Sequence, residues 1–257
     1  MRLSFRIASY RKIDHSILGH VIQVHCPGIN GDYTIVDHVK LFRNLPEMRF
    51  ENRIHEQILP AIRRLGGIVA WSDLFVSHSG SDPGEEAQKR KRERDLRSPH
   101  IEDAERPDHP FTLFNIGMTY SDARDHIKAE RYLMRSVDHS NPTDSHLRKV
   151  YSLLVYSRLC LGRTLEAEET CRTGLELYPL DDELRFRLAV ILQESARFTD
   201  ALIVYEDILA RREERHFASV DPGIRGSKTH QNLAVLYRMT GDHESAERYL
   251  RLIDSTK

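Results

Sequence analysis

Three residues in the N-terminal half have types and spacings that could support chemistry: His55, Glu56 and His78. A His-Glu pair occurs in zinc proteases, but that motif needs a second histidine four positions after the first, which this chain lacks. A glutamate in the first turn of a predicted helix is also favoured by the helix dipole alone. His78 could simply end a strand, so the pattern alone leaves a structural role open for all three.

The cysteines give a second constraint on chemistry. Cys26, Cys160 and Cys171 are odd in number and have no CxxC spacing. We interpret them as free or buried thiols of a reducing compartment, which makes the cytoplasm the expected location. No stretch approaches 18 consecutive apolar residues, so no membrane span is predicted.

Composition places the chain among ordinary folded proteins. It has 257 residues, is 40% hydrophobic, and carries 38 basic and 39 acidic residues for a net charge of −1. Its length suggests one or two domains. Because the charges balance, no whole-protein field attracts nucleic acid or an anionic membrane, and neither is an expected partner.

The elements of residues 1–82 are predicted to be mainly strands. The β-rich runs are 21–24, 33–42 and 68–76. The first two could form a hairpin with a long loop. Between the last two, residues 53–65 carry apolar residues at spacings of four, four and three, which predicts a helix that ends at Gly66 and Gly67.

Residues 83–109 form a charged segment between two regions of different pattern. It contains the basic run Lys89–Arg92, which alone could suggest a phosphate-binding or nucleic-acid-binding patch. Acidic residues lie on both sides of that run, at Glu86 and Glu93 among others. Balanced charge of this kind favours a solvated linker helix.

From residue 110 onward the pattern is helical and repeats. The small residue of each second helix recurs at spacings of 38, 34 and 45, at Ala129, Ala167, Ala201 and Ala246. The first unit also carries Leu113, Ile116, Gly117 and Tyr120. These residues resemble the tetratricopeptide repeat, with about four repeats over residues 110–257.

The resemblance implies a solenoid in which Gly117 and the alanines lie where two helices touch. A generic helical bundle is the alternative. The first helices of such an array line a concave face, expected here to include Phe114, Met118, Ser152, Tyr156, Phe186, Val190, Gln231 and Val235. A mixed groove with a strong apolar component would bind an extended segment or a helix of a protein partner. Alternatively, the insertion at residues 216–230 covers part of it.

The N-terminal half carries a second resemblance. Its ordered motifs are KLFRN at 40–44, RIHEQ at 53–57 and VSHSG at 76–80. They resemble the C-terminal part of family 2 glycosyltransferases of the GT-A type, in the subset followed by tetratricopeptide repeats. The implied fold class is α+β: a small β-rich fragment of a GT-A-like domain, followed by an all-α solenoid.

The glycosyltransferase resemblance implies a set of roles. Glu56 would be the catalytic base, His55 its neighbour on the acceptor side, and His78 a ligand of the metal or of the diphosphate. The divalent metal, Mn or Mg, is held in that family by an Asp-x-Asp motif. Residues 1–37 contain no such motif, so the donor-binding half is expected to be absent and the metal is expected only in a completed site.

Two hypotheses follow from these resemblances. In the first, the chain is a remnant or split C-terminal portion of a family 2 glycosyltransferase, would have a catalytic glycosyltransferase chain as a partner, and has little activity by itself. In the second, it is a non-catalytic scaffold whose repeats bind a protein partner.

Overall fold

A computed structural model describes residues 14–27, 33–52, 56–77, 85–211 and 219–254 of the chain. It contains a small β-sheet with one short helix, followed by a long array of helix pairs. The change of pattern predicted near residue 83 is therefore a change of architecture.

The sheet is built from the three predicted β-rich runs. They form β1 (Ile17–Pro27), β2 (Tyr33–Phe42) and β3 (Ile68–Ser77). β1 pairs with β2 in antiparallel register and with β3 in parallel register. The predicted hairpin is therefore confirmed, and its loop at 28–32 lies outside the described residues.

The helix before β3 is shorter than the sequence predicts. Of the predicted 53–65 interval, only α1 (Leu59–Arg64) is helical, and residues 53–55 lie outside the described part. Pro60 lies in the first turn of the helix, where its missing N–H costs nothing. A helix that began earlier would lose a hydrogen bond at Pro60 and bring its ring against the carbonyl of residue 56. The predicted end is confirmed by Gly66, which has a φ of 66°.

A small apolar core lies between α1 and the sheet. Its buried members are Leu18, Met48, Ile58, Ala61 and Ile62. A Cβ atom on Gly19 would lie 2.8 Å from both Ile62 Cδ1 and Val39 Cγ1, so glycine lets the helix approach β1 closely. This core is separate from the much larger core of the helices.

The helical array begins with a 21-residue helix and continues as four helix pairs. The helices are α2 (Glu85–Glu105), α3 (Pro110–Asp122), α4 (His126–His139), α5 (Leu147–Cys160), α6 (Thr164–Leu177), α7 (Asp182–Glu194), α8 (Phe198–Ala210), α9 (Ser227–Met239) and α10 (His243–Asp254). Each predicted repeat is one pair, from α3–α4 to α9–α10.

The predicted contact points between the paired helices are confirmed. Ala129, Ala167 and Ala201 are fully buried and Ala246 is 1% exposed. A Cβ atom on Gly117 would lie 2.7 Å from Leu133 Cγ. Small residues therefore allow the two helices of a repeat to pack at short distance.

Successive repeats share one continuous core. Cys171 on α6 is fully buried, and its Sγ lies 3.1 Å from the backbone oxygen of Leu184 at the start of α7. A Cβ atom on Gly174 would lie 3.0 Å from Leu184 Cδ1. The first helices of the second and third repeats, α5 and α7, thus each pack on both helices of the repeat before them.

The second half of α2 packs on the first repeat, although the helix lies in the interval predicted as a solvated linker. The ring of His100 lies 5.7 Å from that of Tyr132, and its Nε2 lies 3.3 Å from Tyr120 Oη. Glu102 is 5% exposed. α2 therefore covers the N-terminal end of the solenoid.

The long connection between α8 and α9 reaches the sheet. Its described part contains β4 (Ser219–Val220), which pairs with β2 in antiparallel register and gives the strand order β3-β1-β2-β4. A 3₁₀ turn at Pro222–Arg225 follows, and Arg225 Nε donates a hydrogen bond of 2.5 Å to Asp182. The described part of the predicted insertion therefore joins the sheet edge. None of the helices in the described ranges is long and apolar enough to cross a membrane.

Candidate functional site

The first helices of the four repeats carry one side chain each at an equivalent position on the face predicted to be concave. Met118, Tyr156, Val190 and Val235 lie on α3, α5, α7 and α9, each eleven residues before the alanine of its repeat. Tyr156 is 40% and Val235 44% exposed, whereas Met118 and Val190 are partly buried. The four side chains form an apolar row along the array.

Tyr156 is the aromatic centre of this row. The guanidinium carbon of Arg187 lies 5.3 Å from its ring centroid, within the range of a cation–π contact. The ring of His126 meets it edge-on at 5.5 Å. A hydrogen bond with Cys160 and, to a smaller extent, partial burial raise the pKa of the Tyr156 hydroxyl above its ordinary value.

A polar cluster lies beside Tyr156 and joins α5 to α7. Lys149 Nζ donates hydrogen bonds of 2.8 and 2.9 Å to the two carboxylate oxygens of Glu183. Arg187 donates to Ser152 Oγ and to Glu183, the latter at 3.3 Å. Although burial alone would raise the pKa of Glu183, the charges of Lys149 and Arg187 hold it below its ordinary value. The carboxylate is therefore a fixed charge.

Ser152 was predicted from the sequence to lie on this face, whereas Lys149, Glu183 and Arg187 were not. The signal was present, because Lys149 and Glu183 are 34 positions apart, which is the period of the repeat. Glu183 and Arg187 are four positions apart on one helix, where side chains face each other. Alignment of the repeats by position would have found the cluster.

Two of the predicted partner-binding residues lie deeper than the row. Phe114 is 8% exposed, with its ring 5.9 Å from Phe111 and 5.6 Å from His146. Phe186 is partly buried, and its ring lies 5.6 Å from that of Tyr205. These two aromatic rings lie beneath the face predicted to be concave, whereas Met118, Tyr156 and Val190 contribute accessible surface to it.

The residues implied by the glycosyltransferase resemblance are not brought together in the described ranges. Glu56 is exposed and lies before α1, next to Gln57, which pairs with Glu51. His55 and His78 lie outside the described residues, so the predicted role of His78 as a metal ligand is not tested. Within the described ranges, no group of three or more His, Cys, Asp or Glu side chains could hold a metal ion. The roles of the three residues stay predictions.

The last helix pair carries an open cavity of about 360 Å³, which we call the end groove. It is lined by Gln231, Ala234, Val235, Arg238, Met239 and Leu250. Val235 and Met239 are 44% and 58% exposed. The end groove lies where a following repeat would pack, and Val235 belongs both to it and to the concave row.

Comparison with solved structures identifies the architecture of the helical part. A crystal structure of MamA is 16% identical and matches over 69% of this chain and 95% of MamA, with a TM-score of 0.53. MamA of Desulfovibrio magneticus RS-1 is 14% identical over 65% and 86% of the two chains, with a TM-score of 0.53. These neighbours are tetratricopeptide-repeat proteins.

The helical part is a tetratricopeptide-type solenoid. PilF of Pseudomonas aeruginosa agrees, at 14% identity over 63% and 68% of the two chains and a TM-score of 0.50. At these identities the likeness concerns the fold alone. No protein-family model matches the sequence, and no curated protein matches it significantly. The comparisons give no support to a glycosyltransferase domain in the N-terminal part.

Proposed function

We propose that the chain is an interaction scaffold that binds a segment of a partner protein on its concave face. The observation that carries the proposal is the exposed ring of Tyr156 in an apolar row, beside the charged groups of Lys149, Glu183 and Arg187. An exposed aromatic ring with a fixed guanidinium at its face supplies contact area at a small cost in conformational entropy.

The chemistry of the face defines the segment it would take. Met118 and Val190 flank Tyr156 with apolar surface, so the segment would place apolar side chains along the row. Lys149 and Arg187 share the single carboxylate of Glu183, so the named cluster carries one more positive than negative charge. The face would therefore bind polar backbone groups and disfavour a positively charged residue at this point.

Selection from a random peptide display library with the full chain tests the proposal. Synthetic copies of the selected peptides are then titrated against Tyr156→Ala and Val190→Asp, each of which is expected to weaken binding by about tenfold or more. Leu165→Asp is the matched control, because Leu165 is 84% exposed on a second helix. No selected peptide, or equal losses in all three variants, would contradict the proposal.

The finer hypothesis of a glycosyltransferase remnant has no supporting observation in the described residues and is kept as a prediction with its own test. Calorimetry with a UDP-sugar and manganese, alone and with a catalytic glycosyltransferase chain, should show binding if it holds. Turnover retained by Glu56→Gln would reject Glu56 as the base. Absence of heat in both mixtures would remove the hypothesis and leave the scaffold proposal untouched.

A further inference from the structure

A salt bridge recurs between successive repeats. Glu130 on α4 accepts a hydrogen bond of 2.7 Å from Arg163, which directly precedes α6 of the next repeat. Glu168 on α6 accepts one of 2.8 Å from Arg197, which directly precedes α8 of the next repeat. In both pairs the glutamate follows the repeat's alanine, and the arginine lies four positions before the next alanine.

The third junction lacks both partners of this salt bridge. The position of the glutamate is occupied by Leu202 and that of the arginine by Asp242. The glutamate and the arginine therefore occur together or are absent together. A glutamate at this position predicts an arginine from the repeat that packs on it.

Glu247 occupies the same position in the fourth repeat, directly after Ala246. Its side chain is 58% exposed, whereas those of Glu130 and Glu168 are 10% and 16% exposed. Its only ion pair within the described residues is a 3.6 Å contact with Arg238 of its own repeat. The carboxylate is therefore placed as in a repeat junction, without the arginine that would complete it.

The apolar side chains of the end groove, beside Glu247, are also less buried than their equivalents in the earlier repeats. Leu133, Cys171 and Tyr205 lie four positions after the alanines of the first three repeats and are fully buried. Leu250 is their equivalent and is only partly buried. On the neighbouring helix, Met239 is 58% exposed. No helix pair of the described ranges covers this groove.

We propose that the end groove binds a helical hairpin of another protein, with an apolar first helix that covers Met239 and Leu250 and an arginine at its turn that pairs with Glu247. This continues the junction already formed twice within the chain. A second copy docked by its own first repeat does not fit, because Asp125 occupies the arginine position and α2 covers that end.

A synthetic peptide of residues 180–211 is the probe, because this hairpin carries Arg197 and fills the equivalent groove of α5–α6. Titrated against the full chain by fluorescence anisotropy, it should bind saturably. Glu247→Arg should weaken binding by about tenfold, and a peptide with Arg197→Glu should restore it on that variant. Met239→Asp should also weaken binding about tenfold, and Leu165→Asp should not change it.

Three results would overturn the proposal. The first is the absence of saturable binding up to about 1 mM peptide, which is the limit of weak affinity. The second is binding that Glu247→Arg does not change. The third is a concentration-dependent dimer of the chain in sedimentation equilibrium that Met239→Asp dissociates. The last would make a second copy the occupant. Tyr156→Ala leaves the end groove intact. It should weaken binding of the library peptides and should not change binding of the 180–211 hairpin, so this variant separates the proposed concave-face site from the proposed end-groove site.

Discussion

The two ends of the described helical array differ in whether another element of the chain covers them. At the N-terminal end, His100 and Glu102 of α2 pack on the first repeat, although this helix was predicted to be a solvated linker. At the other end, Met239 and Leu250 line an open groove and Glu247 is exposed. Among the described residues, the fourth repeat keeps apolar and junction-type residues on a side that no helix covers. This is the side proposed above as a binding surface.

The largest expected difference between the ends comes from one substitution made twice. Leu133→Ala removes a fully buried side chain and should lower the free energy of unfolding by about 3 kcal/mol. Leu250→Ala, at the equivalent but partly exposed position, should cost about 1 kcal/mol because solvent already reaches it. Urea denaturation of both variants measures the difference, and equal costs would mean that the end groove is covered.

Acid should act mainly on the first two repeats. Burial lowers the pKa of His146 to about 4, whereas the unfolded chain takes up this proton near pH 6.5. Between these values the unfolded state binds more protons, so stability falls as pH drops from 6.5 and the loss is complete below 4. It reaches up to about 3 kcal/mol.

The test of the acid effect is the pH dependence of urea unfolding for the wild type and for His146→Phe. The phenyl ring should pack between the rings of Phe111 and Phe114, which lie 5.5 and 5.6 Å from that of His146. The variant should lose the part of the pH dependence that His146 contributes. An unchanged slope between pH 4 and 6.5 would show that other groups cause the acid sensitivity.

The junction glutamates give a smaller contrast. Glu130 also accepts a hydrogen bond of 3.0 Å from Arg158, so Glu130→Gln should cost about 2 kcal/mol by leaving two arginines without a charged partner. Glu247→Gln should stay within about 0.5 kcal/mol, because an exposed pair at 3.6 Å contributes little. Urea denaturation checks both, and a large cost at Glu247 would mean that the open end is already paired.

The smallest expected effect is kinetic. Backbone amides of α10 should exchange with deuterium about tenfold faster than those of α4, because no helix of the described ranges packs on the outer side of α10, which can therefore open locally. Mass spectrometry of exchanged peptides measures this. Addition of the 180–211 hairpin should slow exchange in α10 and leave α4 unchanged, whereas uniform exchange along the array would contradict an open end.

Much of the fold could be predicted because local patterns and the repeat agree. The alanines and Gly117 marked the helix contacts, and Gly66 marked the end of α1. The start of α1 could not be predicted from the apolar stripe, because Pro60 decides it. The pairing of Ser219 and Val220 with β2 is a contact between distant parts of the chain, and no local pattern predicts it.

The candidate site was only partly predictable. Position in the repeat indicated that Tyr156 and Val190 face the concave side, but not that Phe114 would be covered by Phe111 and His146. Burial of this kind depends on the neighbouring helix and not on spacing. For the N-terminal motifs, the resemblance to family 2 glycosyltransferases predicted roles that the described residues do not test, since His55 and His78 lie outside them, and the comparisons do not support that resemblance.

The two-residue strand between α8 and α9 ties the hairpin at the start of the chain to the junction of the last two repeats. In a solenoid each repeat contacts only its neighbours, so small changes at successive junctions can add up to a change in length. Here Ile35 and Val220 pair through their backbones, so a force applied to the two termini reaches the fourth repeat through the sheet before it loads the first three repeats. Pulling on the two termini should therefore meet a distinct early yield point before the helices unravel.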